Sequence, residues 1–302
     1  MELQYNQSDF DYRRAPGINQ SSLKKILDSP AHYQAAVATK LIPTPAMKMG
    51  TALHCLSLDG KKAFDGSYFD RKKEGKDLTV LEMKEALDKK GITYKASAKK
   101  PELEALLYPE GKPVDRRTGL SEDEYAAVLG MANSLEYLAY FDPSQPDYIK
   151  HNEVSIYWDW MGVPCKARLD RVAIEQGLVL DLKTTDSVEP ELFLKKVVGL
   201  GYDFQAGYYA EAARVAFGKD FKFLFAAVER RAPYSVEIYE ASEEMMEEAK
   251  FKCEKALTIY AECARLDRWP NREPVIRQLS YPSWYNSVKD AAENEPTEEP
   301  LF

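Results

Sequence analysis

GLVLDLKTT, residues 177–185, sets Asp181 and Lys183 inside a run that otherwise reads as a buried apolar strand. Side chains alternate across a strand, so Val179, Asp181 and Lys183 point one way and Leu178, Leu180 and Leu182 the other. The expectation is one face of core and one of chemistry. Just upstream, VPCKARLDRVAI (163–174) puts Lys166, Arg168 and Asp170 on one face of a preceding strand, and a short turn lays Asp170 beside Asp181. Two carboxylates held close in a partly buried site repel each other and prefer to share a cation, and hard oxygen ligands favour Mg²⁺ or Mn²⁺. Lys183 then places an ammonium over the same site, where it orients or helps deprotonate a water and neutralises phosphoryl charge. A structural reading stands beside this one: a salt bridge between Asp181 and Lys183, or between Asp170 and Arg168.

Working outward, NEVSIYWDW (152–160) has period two, with Val154, Ile156, Trp158 and Trp160 on one face. With Gly162 and Gly177 near the turns, these three strands form a meander. Glu153 opens the first of them and reads as a solvated strand-edge residue in preference to one that supports the site from behind. A helical stretch from about Pro190 to Phe217 is expected to break near GLGYD (199–203). FKFLFAAVERR (221–231) and YSVEIYEAS (234–242) supply two more strands, and residues 243–266 a long amphipathic helix. Towards the N-terminus, GINQSSLKKILDSPAHYQAA (17–36) offers Ser21 or Ser22 as N-cap of a short helix that Pro30 stops. MKMGTALHCLSLDG (47–60) reads as a buried helix carrying His54, and Ser121 with Glu124 forms a capping box for the helix that follows. The fold class is mixed α/β.

With 302 residues, 45% of them hydrophobic, the chain can bury a full core as one large domain or two smaller ones. It has no run of about 18 apolar residues for a membrane span, and its N-terminal stretch lacks the apolar core of a secretory signal, so a cytoplasmic protein is expected. Cys55, Cys165, Cys253 and Cys263 form no CxxC pair, which removes the usual zinc and iron–sulfur spacings. A net charge of −8 argues against coating nucleic acid with the whole surface, and leaves room for a local basic groove. No GxxxxGK[ST] phosphate loop is present.

Asp170, ten residues, Asp181, one residue and Lys183 match D-x(n)-(D/E)-x-K, and the segment resembles the PD-(D/E)XK nuclease superfamily, with Leu169 where that name has proline. GTALHCL, SIYWDWMGVPCKARLDR, LVLDLKTT and GYDFQAGYY, in that order, resemble the RecE (exonuclease VIII) nuclease domain and its phage relatives over about residues 15–70 and 120–285. The resemblance implies a PD-(D/E)XK core, a mixed central sheet flanked by helices, spanning 1–70 and 119–285. It implies a metal shell of His54, Asp170, Asp181 and the Leu182 backbone carbonyl; without it, a lone histidine in an apolar helix reads as a hydrogen-bonded core residue. Gln205 and Tyr209 match a QxxxY motif that borders the site, and Ser21, Ser22, Lys24 and Lys25 match a helix at the DNA entrance.

The activity implied is Mg²⁺-dependent 5′–3′ degradation of linear double-stranded DNA from its ends, with Mn²⁺ as substitute. It leaves 3′ single strands for a RecT-like annealing protein, and relatives form homo-oligomeric rings. A structure-specific or endonucleolytic enzyme and a noncatalytic DNA-binding scaffold are the alternatives. Residues 71–118 are charged and poor in aromatics, and look inserted; they resemble SAP and HeH modules, in which Lys95, Lys99 and Lys100 would contact phosphates. Residues 286–302 form an acidic tail expected to be mobile.

Overall fold

The structure, a computed structural model, describes residues 1–5, 7–39, 42–74, 78–110, 117–138, 141 and 151–281. Its strands are β1 (Glu2–Gln4), β2 (Tyr68–Asp70), β3 (Thr118–Leu120), β4 (His151–Trp160), β5 (Val163–Ala173), β6 (Leu178–Thr185), β7 (Lys222–Glu229) and β8 (Val236–Glu240). Six form a sheet in the order β1-β4-β5-β6-β7-β8, antiparallel except for the β6–β7 pair. The expected meander is β4–β5–β6. Met161 and Gly162, both at positive φ (57° and 78°), make the two-residue turn between β4 and β5, the geometry whose twist matches a hairpin. A parallel neighbour cannot be reached by a tight turn, so the chain crosses from β6 to β7 through helices Pro190–Leu200 and Tyr202–Phe217. The break between them is Gly201, whose φ of 67° suits a residue without a Cβ.

The sheet is covered on both faces. One apolar layer joins Val154, Ile156, Trp158, Val179, Phe223 and Phe225 to Phe204 and Tyr208 of helix Tyr202–Phe217 and to Leu257 of helix Glu243–Leu266. The other joins Leu180, Leu182, Leu224 and Val228 to Leu53 of helix Pro45–His54 and to Val128 and Met131 of helix Glu122–Glu136. The expectation of one core face and one chemical face is therefore corrected. Val179 packs in a core layer, and the same face of β6 turns polar only at Asp181 and Lys183. Helices Tyr202–Phe217 and Glu243–Leu266 approach so closely at Gly207 that a Cβ there would lie 2.8 Å from the Ala249 carbonyl carbon.

Two expected helix signals sit elsewhere. Asn19, not Ser21 or Ser22, caps helix Gln20–Leu23: its Oδ1 accepts from the Ser22 amide and the Ser21 hydroxyl, each at 2.9 Å. Pro30 opens helix Pro30–Ala38 behind the N-cap Ser29, because a first-turn residue needs no N–H partner. The Ser121–Glu124 capping box is present.

Residues 78–107 carry a small apolar cluster of their own, made by Leu78, Met83, Leu87, Ala98, Leu103 and Leu107. Two helices, Val80–Lys89 and Lys100–Leu107, supply it. The chain leaves β2 before this stretch and returns in β3, which pairs with β2 in parallel. The chain divides into two compact units, Met1–Pro270 and Asn271–Phe302; the described part of the second, 271–281, has no helix or strand. The acidic stretch 286–302 lies outside the described residues. Among the described residues no helix is long and apolar enough to cross a membrane.

Candidate active site

Register brings three acids onto one line. Asn152 pairs with Arg171 and Val154 with Leu169, so Glu153 stands opposite Asp170. The β5–β6 ladder ends at the Arg171–Leu180 pair, so Asp170 and Asp181 are the residues just beyond its last rung. The pleat slips at this line: Leu169 and Val172, three residues apart, lie in the same apolar layer, and Glu153 takes a φ of 50°. Strict alternation would separate Leu169 from Val172, and the slip re-aims the carboxylates as a bulge does.

Helix Pro45–His54 brings the histidine to the same place. His54, Glu153 and Asp170 each offer a ligand atom, all within 4.8 Å of one another. Nε2 of His54 lies 2.9 Å from the Leu182 carbonyl, an acceptor only, so Nε2 carries the proton and donates. In a neutral ring that tautomer leaves the Nδ1 lone pair for a cation, and Nδ1 lies 3.6 Å from Asp170 Oδ2. The Leu182 amide donates to Asp170 Oδ2 at 2.8 Å, which ties β5 to β6 through a side chain.

Asp181, with 1% of its surface exposed, belongs to a second group. Its carboxylate pairs with the Lys183 ammonium and accepts from Gln205 Nε2 at 2.8 Å. Lys183 donates to Gln205 Oε1 at 3.0 Å, so one amide holds both members of the pair. The ammonium lies 4.6 Å from the Tyr202 ring centroid. One turn beyond Gln205 is Tyr209, whose burial holds its hydroxyl well above the ordinary range, with Gln205 opposing through a hydrogen bond.

Electrostatics follow from crowding buried acids. Burial pushes the Asp181 carboxyl up to about 6, with Asp170 adding to the rise and Lys183 opposing it. Burial and then Asp170 push Glu153 up to about 7 against the pull of Arg168, which pairs with it at 2.7 Å. For Lys183, burial favours the neutral amine, but Asp181 and Asp170 outweigh it and its pKa rises.

Of the expected metal shell, His54 and Asp170 come together, the Leu182 carbonyl is engaged by His54, and Asp181 faces Lys183. Glu153 takes the third corner. The solvated strand-edge reading of Glu153 is corrected: its side chain is 18% exposed and faces the cluster. Its position was legible, because Glu153 and Asp170 each stand eight residues from the Met161-Gly162 turn. The acceptor-rich set, one imidazole with carboxylates, fits a divalent cation.

The residues expected at a DNA entrance are engaged by their own neighbours. Lys24 donates to the Leu200 carbonyl at 2.7 Å, and its pKa is lowered by burial first, then by Lys25 and Lys183. Ser21 and Ser22 are held by Asn19, and Lys25 pairs with Asp28 at 3.9 Å. Lys95, Lys99 and Lys100 are exposed on the 78–107 unit.

Residues 19–275 match a family described as a PDDEXK-like domain of unknown function (DUF3799). The chain belongs to this PDDEXK-like family. A crystal structure of a suspected exonuclease from Eubacterium rectale superposes with a TM-score of 0.56 at 14% identity, over 90% of this chain and 97% of that one. That likeness supports the PDDEXK-like fold. A phage-related exonuclease from Haemophilus somnus 129PT aligns at 12% identity over 85% of this chain and 99% of that one, with a TM-score of 0.34. No curated protein matches the chain. Together, the PDDEXK-like fold and the donor set at its sheet support a nuclease.

Proposed function

We propose that this chain is a divalent-metal-dependent exonuclease of the RecE type, which degrades linear duplex DNA from 5′ ends and leaves 3′ single strands for an annealing protein. The observation that carries the reading is the meeting of His54, Glu153 and Asp170 within 4.8 Å, beside the Asp181–Lys183–Gln205 group. His54 Nδ1, Glu153 and Asp170 would hold the cation. When bound, the cation supplies an activated water and offsets charge on the phosphodiester oxygens. Lys183 holds a proton at Nζ and presents positive charge where the attacked phosphate gains negative charge. Gln205 keeps that ammonium and the Asp181 carboxylate in fixed relation, so neither must reorganise during attack.

End-labelled linear duplex and closed circular DNA, each with Mg²⁺, Mn²⁺ or chelator, test the proposal. Metal-dependent release of nucleotides from 5′ ends, with circles intact, is expected. Nicked circles would move the assignment to an endonuclease, and no hydrolysis with either metal would end it. Ring assembly and capture of a RecT-like annealing protein belong to the same proposal. Sedimentation at the mass of a single chain, or no retention of such a protein on the immobilised chain, would remove each in turn.

The raised carboxyls set a pH dependence. Both Asp181, at about 6 against 3.8, and Glu153, at about 7 against 4.5, bind protons more tightly folded than unfolded. Their contribution to metal-free stability is therefore full below about pH 4 and is lost as pH rises through 6 to 7. A divalent cation held by His54, Glu153 and Asp170 would bind the ionised form of Glu153, so added Mn²⁺ should raise the melting temperature more at pH 8 than at pH 5.5. At a hundred times its dissociation constant it would add about 2.7 kcal/mol. An equal increment at both pH values would contradict the ligand assignment.

The 78–107 unit is proposed to bind the DNA backbone through Lys95, Lys99 and Lys100. Changing all three to Gln should weaken duplex binding similarly for every sequence and flatten its salt dependence, with the log–log slope falling by about 0.9 per lost contact. An unaltered slope would leave the unit a spacer.

A further inference from the structure

We propose that Arg171 and Asn152 are positioning residues that set His54 against the carboxylates by bracing the turn that follows the histidine. The inference rests on the nuclease reading. His54 ends its helix, and the next residues, Cys55–Asp59, continue as a π turn closed by the Gly60 amide on the Cys55 carbonyl at 3.0 Å. A π turn is a costlier and less regular path than an α-helical one, and it frequently marks a functional site. Its terminal carbonyls need donors. Two come from the sheet: Arg171 Nη2 donates to the Ser57 carbonyl at 3.2 Å, and Asn152 Nδ2 donates to the Leu58 carbonyl at 2.7 Å. Arg171 Nε also donates to Asn152 Oδ1 at 2.7 Å, which locks the two braces together.

The placement of the braces makes them more than a cap. Asn152 and Arg171 are direct partners across β4 and β5, each next in sequence to an acid of the cluster, Glu153 and Asp170. Any movement of the histidine helix relative to the acids must therefore stretch hydrogen bonds anchored one rung away. Arg171 is only 8% exposed, and its guanidinium lies 4.5 Å from the Phe141 ring centroid. Burying a charge is expensive, and carbonyls at a surface helix end are satisfied by water without one. A guanidinium supplies what water does not: donors in a rigid fork that fix direction.

The test is Mn²⁺ affinity, read by electron paramagnetic resonance on the full chain, with circular dichroism to confirm folding. Arg171→Met should weaken Mn²⁺ binding about 10–100-fold, the range found when a ligand loses its orienting partner, and Arg171→Lys should recover part of it. In a His54→Ala background Arg171→Met should change Mn²⁺ affinity no further. Unchanged affinity in folded Arg171→Met, or an equal loss with and without His54, would overturn the proposal. If Arg171→Met fails to fold, Asn152→Ala, which removes one brace and no charge, carries the same expectation. Absence of Mn²⁺ binding by the unaltered chain would overturn the nuclease reading as well, whereas normal binding with an insensitive Arg171→Met overturns this inference alone.

Discussion

Lys183→Met is expected to cut the proposed DNA hydrolysis at least a thousandfold, about 4 kcal/mol of transition-state stabilisation, while duplex binding falls much less. The side chain is nearly isosteric, so packing against Tyr202 survives and the ammonium alone is lost. Its loss strips Asp181, 1% exposed, of the charge that now opposes the rise of its pKa to about 6. The carboxyl's pKa then rises further, so the variant binds a proton there more readily than the unaltered chain does. Breaking a buried pair costs about 3–5 kcal/mol when the remaining charge persists. Protonation relieves that cost at low pH, so Lys183→Met should lower the melting temperature more at pH 8 than at pH 5. Adding Asp181→Asn should recover stability and no activity. Turnover within tenfold of the unaltered chain would dismiss Lys183 as a catalytic residue.

Tyr208→Ala is expected to be the most destabilising single truncation, at about 3–5 kcal/mol in denaturant unfolding. Tyr208 is fully buried, with ring centroids 5.1 Å from Trp158, 5.8 Å from Trp160 and 6.5 Å from Phe204. Its hydroxyl donates to the Ile18 carbonyl at 2.7 Å, which joins the N-terminal segment to the helix bearing Gln205. Tyr208→Phe should cost only about 1 kcal/mol. The Ile18 carbonyl keeps a second donor, the Lys166 amide at 2.8 Å, and is not orphaned. The contrast separates packing from hydrogen bonding at one position. A loss below 1 kcal/mol for the alanine variant would mean that the aromatic layer does not hold the sheet to its helices.

These two residues divide the molecule as reading from sequence does. Periodicity exposes the aromatic face of β4, the charged end of β6 and the long final helix, since burial of one face imposes a repeat on the chain itself. The break at Gly201 and the capping box at Ser121 are legible because each depends on neighbours within a few residues. Asn19 does not stand out from the serines beside it, since all three positions carry good capping residues and only the path of the backbone chooses among them. Glu153 misleads for a different reason: a glutamate at a strand start is ordinarily solvated, and its burial follows from helix Pro45–His54 and strand β5 closing on it.

By itself the chain determined the order of its elements, the meander and the Asp-x-Lys strand, because these follow from turn residues and hydrophobic period over short spans. It also placed Asp170 and Asp181 on neighbouring strands, given a short turn. Only the tertiary structure decided which ligand atoms converge. That depended on a slip in the pleat, a π turn after His54 and a glutamine on a crossing helix, each held by contacts between segments far apart in sequence. Such contacts leave no repeat in the chain, since their geometry is set by how whole layers pack.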